Sequence, residues 1–154
     1  MSWPPRKPNF YSSSIVLLLC FAITITDLQG VSARNKKKVV RIVDMIPTYN
    51  PVQPPRILYL HCQSHSDDLG VWDLTENKGY QFYFRTNFWG TTLFWCTFTW
   101  GKKDQSIAVY DDKDSSCDGE RYCNWHLKTD GLYFAKGEFP SESDFTKKAD
   151  WKDI

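Results

Sequence analysis

The chain has 154 residues, 19 basic against 18 acidic side chains, and an aromatic content of 16%. A net charge this close to zero argues against nucleic acid as a partner, which would call for a strongly basic face. The length suits one domain and little more.

The first segment does not read as domain sequence. Arg6 and Lys7 precede the apolar run IVLLLCFAITIT (15–26), and short side chains follow at Val31 and Ala33. That order of basic, apolar and small-residue regions predicts a secretory signal peptide over residues 1–33. The run falls short of the roughly 20 apolar residues that a membrane span needs. Cleavage is expected after Ala33, with Gly30 as the alternative, which leaves a single domain over 34–154. Removing Arg6, Lys7 and Asp27 turns 19 basic and 18 acidic residues into 17 of each. The mature chain then opens with RNKKKVVR (Arg34–Arg41), a basic end suited either to solvent or to weak contact with an anionic surface.

Strand signals follow in order. KVVRIVDMI (38–46) is the first, and PTYNPVQPP (47–55) interrupts it with four prolines. RILYLHC (56–62), GVWDL (70–74), YQFYFRT (80–86) and TTLFWCTFTW (91–100) come next. SIAVYD (106–111), CNWHLKT (123–129) and GLYFAKGEF (131–139) complete the set. Alternation of large apolar with polar residues is the signature of half-buried strands. The intervening ENKG, NFWG, WGKKDQ and TDG carry turn chemistry. Seven or eight short strands at even spacing predict an all-β fold, a small antiparallel β-sandwich. The end, PSESDFTKKADWKDI, is mostly charged and is expected to pack loosely.

Four cysteines remain once Cys20 leaves with the leader: Cys62, Cys96, Cys117 and Cys123. An even count in a small secreted domain implies two disulfides. Cys62 shares a strand face with Leu58 and Leu60, and Cys96 shares one with Phe94 and Phe98. This common apolar environment pairs Cys62 with Cys96, as a bridge between strands or between sheets. Cys117 and Cys123 then close the short loop DGERY. No Asn-x-Ser/Thr acceptor occurs, so N-glycosylation is not expected.

The stretch HCQSHSDDLG (61–70) concentrates two histidines, a cysteine and two aspartates. A disulfide-bonded Cys62 is neither a thiolate ligand nor a nucleophile. His61 and His65 alone fall short of the three or four convergent ligands of a zinc site. Asp67 and Asp68 are adjacent and diverge, so they do not face one gap as a glycosidase pair must. SDDLG reads better as a turn in which Gly70 takes positive φ. DDKDSSCDGE (111–120) lacks the calcium-loop spacing. No catalytic residue, metal site or cofactor is expected. Trp72, Trp89, Trp95, Trp100 and Trp125 could form a carbohydrate-binding face, but core packing is the simpler reading.

With its leader, the pieces LYLHCQSHSDDLG, YQFYFRTNFWGTTLFWCTFTW, AVYD and CDGERYCNW make the chain resemble the plant self-incompatibility protein family, the S-protein homologues. The resemblance spans about residues 38–136. It implies a secreted β-sandwich with two disulfides, no enzymatic activity and a cell-surface receptor as partner. A recognition or signalling ligand is therefore expected, with GKKDQ (101–105) and DDKDSSCDGER (111–121) as contact loops. Within them Lys102, Lys103, Asp104, Asp111, Asp112, Asp114 and Arg121 are the candidate partner-contact residues. A carbohydrate or cell-wall binding module and a membrane-active defence protein are the alternatives.

Overall fold

The structure is a computed structural model that describes residues 37–47 and 57–154. The expected signal peptide and most of the proline-rich segment lie outside the described residues. The described residues belong to one compact unit, Asn35–Ile154.

Ten strands make two five-stranded sheets. They are β1 (Lys37–Asp44), β2 (Leu58–Ser64), β3 (Asp68–Leu74), β4 (Gly79–Arg85), β5 (Leu93–Trp100), β6 (Lys103–Asp111), β7 (Tyr122–Lys128), β8 (Gly131–Lys136), β9 (Thr146–Ala149) and β10 (Lys152–Asp153). One sheet runs β4-β1-β7-β8-β9 and the other β10-β6-β5-β2-β3. The first eight strands match the predicted eight one for one. The sheets are antiparallel except at β1 and β7, which pair in parallel from Val39 with Tyr122 to Asp44 with Leu127.

Alternation puts one face of each strand inward. From β2 come Leu58, Leu60 and Cys62, from β5 Phe94, Cys96 and Phe98, and from β7 Cys123, Trp125 and Leu127. Burying a large apolar side chain stabilises by about 1.5–3 kcal/mol, so this layer is the main source of stability. Along one open side the sheets are joined by an aromatic ladder. Trp72 meets Tyr80 at 4.7 Å between ring centroids. Phe84 contacts both Phe94 at 4.6 Å and Tyr110 at 4.7 Å.

One polar bond also crosses the core. In the β5–β6 ladder Phe94 faces Tyr110 and Trp95 faces Ala108, which leaves Val109 as a bulge residue without a cross-strand partner. The Val109 carbonyl accepts the buried Trp125 indole N–H at 3.0 Å. Without that acceptor, a buried indole donor would cost about 1–3 kcal/mol.

Both expected disulfides are present. The Cys62–Cys96 bridge takes the first of the two expected forms, between neighbouring strands. The two residues are direct cross-strand partners on β2 and β5, with Cα atoms 4.1 Å apart. The bridge therefore lies within one sheet and does not tie the two layers together.

The C-terminal segment also departs from expectation. Residues 137–145 cross the outer face of β7, and the chain then adds β9 and β10 to the two sheet edges. Phe145 is buried and stacks on His126 with ring centroids 3.7 Å apart. The Trp151 indole donates to the Lys128 carbonyl at 2.7 Å. Gln105 Nε2 donates to the Asp150 carbonyl at 2.8 Å. Two buried or half-buried aromatic anchors and backbone pairing hold a segment whose charge pattern suggested loose packing.

Candidate functional site

The strand order divides the loops between two ends of the sandwich. One end carries the β2–β3 turn (65–67), the β4–β5 loop (86–92) and the β6–β7 loop (112–121). The other carries the turns at 75–78, 101–102 and 129–130. β6 has nine residues, and at about 3.3 Å each it separates its two flanking loops by roughly 30 Å. The two predicted contact loops therefore do not share a surface. Lys102 is exposed at its turn, whereas Lys103 and Asp104 belong to β6 and pair with Asp153 and Lys152 of β10. Lys103 Nζ also lies 3.0 Å from Asp153 Oδ1.

At the other end, Asp111 closes β6, and Asp112, Asp114 and Arg121 sit on the loop that follows. That loop is held from beneath. The Lys38 side chain is buried, and its ammonium donates to the Cys117 carbonyl at 3.0 Å and the Glu120 carbonyl at 2.5 Å. The Cys117–Cys123 bridge closes the same segment. Asp112 is turned inward: Oδ1 accepts the Tyr110 hydroxyl at 2.7 Å and Oδ2 accepts the Thr92 N–H at 2.9 Å. Burial, with the Asp112 carboxylate beside it, holds the Tyr110 phenol far above its usual range, so it stays a proton donor. Asp114 accepts from the Ser116 hydroxyl at 2.8 Å and the Ser116 N–H at 2.9 Å, and the two bonds hold its carboxyl below the ordinary range.

The β4–β5 loop is fastened to this platform. Asp112 N–H donates to the Thr92 carbonyl at 2.9 Å, reciprocating the Thr92–Asp112 bond. Asn87 donates its backbone N–H to Thr92 Oγ1 and its amide to Thr91 Oγ1, both at 2.8 Å. Its Oδ1 accepts the Thr91 N–H at 2.9 Å. At the tip, Phe88 and Trp89 are 54% and 80% exposed, with rings edge-on at 5.4 Å. The sequence reading named Trp89 among five tryptophans and did not single out this loop. Two large aromatics inside a polar turn, NFWGTT, were the available signal.

The HCQSHSDDLG motif forms the third wall. Cys62 is bridged, and His61, on the opposite face, lies 2.7 Å from Asp68 Oδ1. Asp68 also accepts the Gly70 N–H at 2.9 Å, and that bond, then His61, lowers its carboxyl pKa. Gly70 takes φ of 80°, as the turn reading expects. Asp67 points elsewhere, to the hydroxyls of Ser64 and Ser66 at 3.2 and 2.9 Å. Among the described residues, no group of three or more His, Cys, Asp or Glu is placed to hold a metal ion. Between this turn and the β4–β5 loop lies a cleft of about 540 Å³.

Of the tryptophans, Trp125 is buried, Trp95 and Trp100 are half-buried, and Trp72 is 47% exposed but stacked on Tyr80. They do not compose one flat face. The basic segment is likewise divided. Lys37 is exposed, Lys38 is committed to the carbonyls above, and Arg41 donates to the Glu138 carbonyl at 2.9 Å and covers the Tyr122 ring at 4.2 Å. Arg34 and Lys36 lie outside the described residues.

The sandwich agrees with what comparison with known proteins finds. The family model for plant self-incompatibility protein S1 matches residues 45–151. The chain belongs to that family. S-protein homolog 21 of Arabidopsis thaliana is 35% identical over 132 residues, covering 83% of this chain and 92% of the relative. S-protein homolog 5 of the same plant is 40% identical over 120 residues, covering 77% and 86%. A solved self-incompatibility protein homologue superposes with a TM-score of 0.53 at 22% identity, over 77% of this chain and 96% of that one. That structure is described as one of a widespread family of small, highly stable, secreted plant proteins. The S-protein homologues are secreted plant proteins and not a known enzyme family.

Proposed function

We propose that this S-protein homologue is an extracellular recognition ligand that acts by binding a cell-surface receptor and not by catalysis. The supporting observation is the mutual fastening of loops from both sheets at one end of the sandwich. Thr92, Asp112 and Tyr110 link the β4–β5 and β6–β7 loops, and Lys38 with the Cys117–Cys123 bridge braces the second of them. A contact surface ordered before binding loses less conformational entropy on association. The segment 111–121 presents five carboxylates against two cations, and the exposed Phe88 and Trp89 stand beside it. Acidic groups around an aromatic anchor suit a basic-rimmed protein partner.

Asp111, Asp114 and Arg121 are the better contact candidates, with Asp112 as their support. Lys102, Lys103 and Asp104 belong to the far end. The membrane-active alternative is weakened because Lys38 and Arg41 are engaged within the fold.

The test is binding of the oxidised secreted chain to plant cell surfaces. Charge reversal at Asp114 and Arg121 should weaken binding about tenfold in a chain that still folds, the loss of the two Ser116 bonds to Asp114 lowering its thermal stability slightly. Lys102→Glu should leave binding intact. Loss on Lys102→Glu with no effect at Asp114 and Arg121 would place the contact at the opposite end and sink this assignment.

A further inference from the structure

We propose that the cleft between the β2–β3 turn and the β4–β5 loop binds a neutral oligosaccharide, a glycan carried by the protein partner that the acidic loop meets at this end. The proposal rests on the reading of the loop end as the recognition face. The cleft's volume of about 540 Å³ lies within the roughly 300–1,000 Å³ common for small-ligand sites.

Its aromatic lining is Phe84 and Trp95, both half-buried, together with the buried Phe94, which meets Phe84 at 4.6 Å. Its rim is hydroxyl and amide. Thr91 and Thr92 accept bonds from Asn87 at their Oγ1 atoms, which leaves each hydroxyl its own proton to donate to a ligand. Across the cleft the hydroxyls of Ser64 and Ser66 are both directed to Asp67 Oδ2. Both walls are thus set before any ligand arrives. Arg85 and Asp67 bring one permanent charge of each sign to the lining.

This chemistry discriminates among ligands. A polyphosphate would call for several cations and a cluster of N–H donors. An acyl chain would call for an apolar lining throughout. A pyranose presents the matching combination, a C–H face for an aromatic surface and a ring of hydroxyls that both donate and accept. Just beyond the rim, Trp89 at 80% exposure offers a second apolar platform for a chain of more than one sugar.

The probes are defined neutral gluco-, xylo-, manno- and galacto-oligosaccharides, titrated into the oxidised chain by calorimetry and by amide chemical shift. At least one should bind saturably, with shifts concentrated at residues 64–67 and 84–95. Trp89→Ala, an exposed change that leaves the fold intact, should weaken that binding about tenfold, and Thr91→Val should weaken it as well. Lys102→Glu should have no effect. Absence of binding at millimolar sugar, binding indifferent to both the rim variant and the cleft variant, or a peptide that fills the cleft where no sugar does would each overturn the proposal. Cell-surface binding separates the two readings. If it depends on Asp114 and Arg121 but no sugar binds, the glycan proposal fails and the recognition face stands. If sugar binds the cleft but the chain does not attach to cells, the recognition reading fails and the cleft stands.

Discussion

Asp112 is the residue on which the order of the loop end turns. Its two carboxylate oxygens serve different loops, one accepting from Tyr110 on β6 and the other from the Thr92 N–H next to β5. Asp112→Ala removes both bonds and leaves the hydroxyl of the buried Tyr110 without its acceptor. A hydrogen bond to a charged group contributes about 1.5–3 kcal/mol, and partial exposure here argues for the lower figure at each. The expected loss is therefore about 2–4 kcal/mol by urea unfolding. Tyr110→Phe removes one of the two bonds together with its donor, and should cost about 1 kcal/mol. In the double variant the two losses should fall short of additive by roughly 1 kcal/mol, because the removed bond is shared. Amide exchange at Thr92 should accelerate in Asp112→Ala and stay slow in Tyr110→Phe. A loss under about 0.5 kcal/mol in Asp112→Ala, with protected Thr92, would refute the claim that this carboxylate couples the loops.

Three further outcomes follow from the same contacts. Lys38→Met leaves the Cys117 and Glu120 carbonyls without their buried donor, and should cost about 2–4 kcal/mol in chemical unfolding while speeding amide exchange in residues 117–121. Gly131→Ala should destabilise by more than about 1 kcal/mol and free β9. Its φ is 151°, and an added Cβ would overlap the Ala149 carbonyl oxygen and lie 2.6 Å from Lys147 Cε, so a differential melt and exchange in 146–149 check it. His126 predicts a pH dependence. Burial, opposed by Glu142 and aided by Lys128, holds its folded pKa below 6.5, so the unfolded chain takes up a proton first as pH falls. Its contribution to stability is intact above pH 6.5 and declines below it, down to the lowered folded value. Thermal melts from pH 7.5 to 5 should show Tm falling. His126→Phe, which keeps a ring against Phe145, should flatten that fall; an equal slope in wild type and variant would rule His126 out as its source.

The sequence revealed faces more readily than neighbours. Alternation in TTLFWCTFTW shows which side of β5 is apolar, because that period follows from strand geometry itself. It says nothing about which strand lies alongside, so the parallel β1–β7 pair and the placement of Cys62 directly across from Cys96 were not legible. TKKA and KD carry no period at all, and β9 and β10 exist through backbone pairing and the nearby anchors Phe145 and Trp151. The candidate site suffered from the same gap. GKKDQ and DDKDSSCDGER both read as polar connections between strands, yet Lys103, Asp104 and Gln105 already belong to β6, and the turn at 101–102 and the loop at 112–121 lie at that strand's opposite ends. Lys38 looked like one of five solvated cations, because a buried ammonium bound to carbonyls leaves no local trace in sequence. The β2–β3 turn was readable in detail, since Ser, Asp and Gly form it through bonds to their own neighbours.

The positions of the two disulfides give the architecture a direction. Cys62 lies two residues before the end of β2, and Cys96 three residues into β5. Their bridge therefore locks the register of the two strand ends from which the β2–β3 turn and the β4–β5 loop emerge. The Cys117–Cys123 bridge closes the third loop of the same end. On the chain-entropy model, closures with separations of 34 and 6 residues contribute about 4 and 2 kcal/mol. If stability alone were at issue, bridges closing longer loops would supply more of it, and the turns at 75–78, 101–102 and 129–130 would have equal claim to bracing. Those turns carry no bridge. The covalent constraint, the buried Lys38 ammonium and the Asp112 bonds all act at one end, where the exposed aromatics and the cleft also lie. Rigidity placed there, and not shared between the ends, is what a binding surface requires of a scaffold whose own core is already closed by aromatic packing.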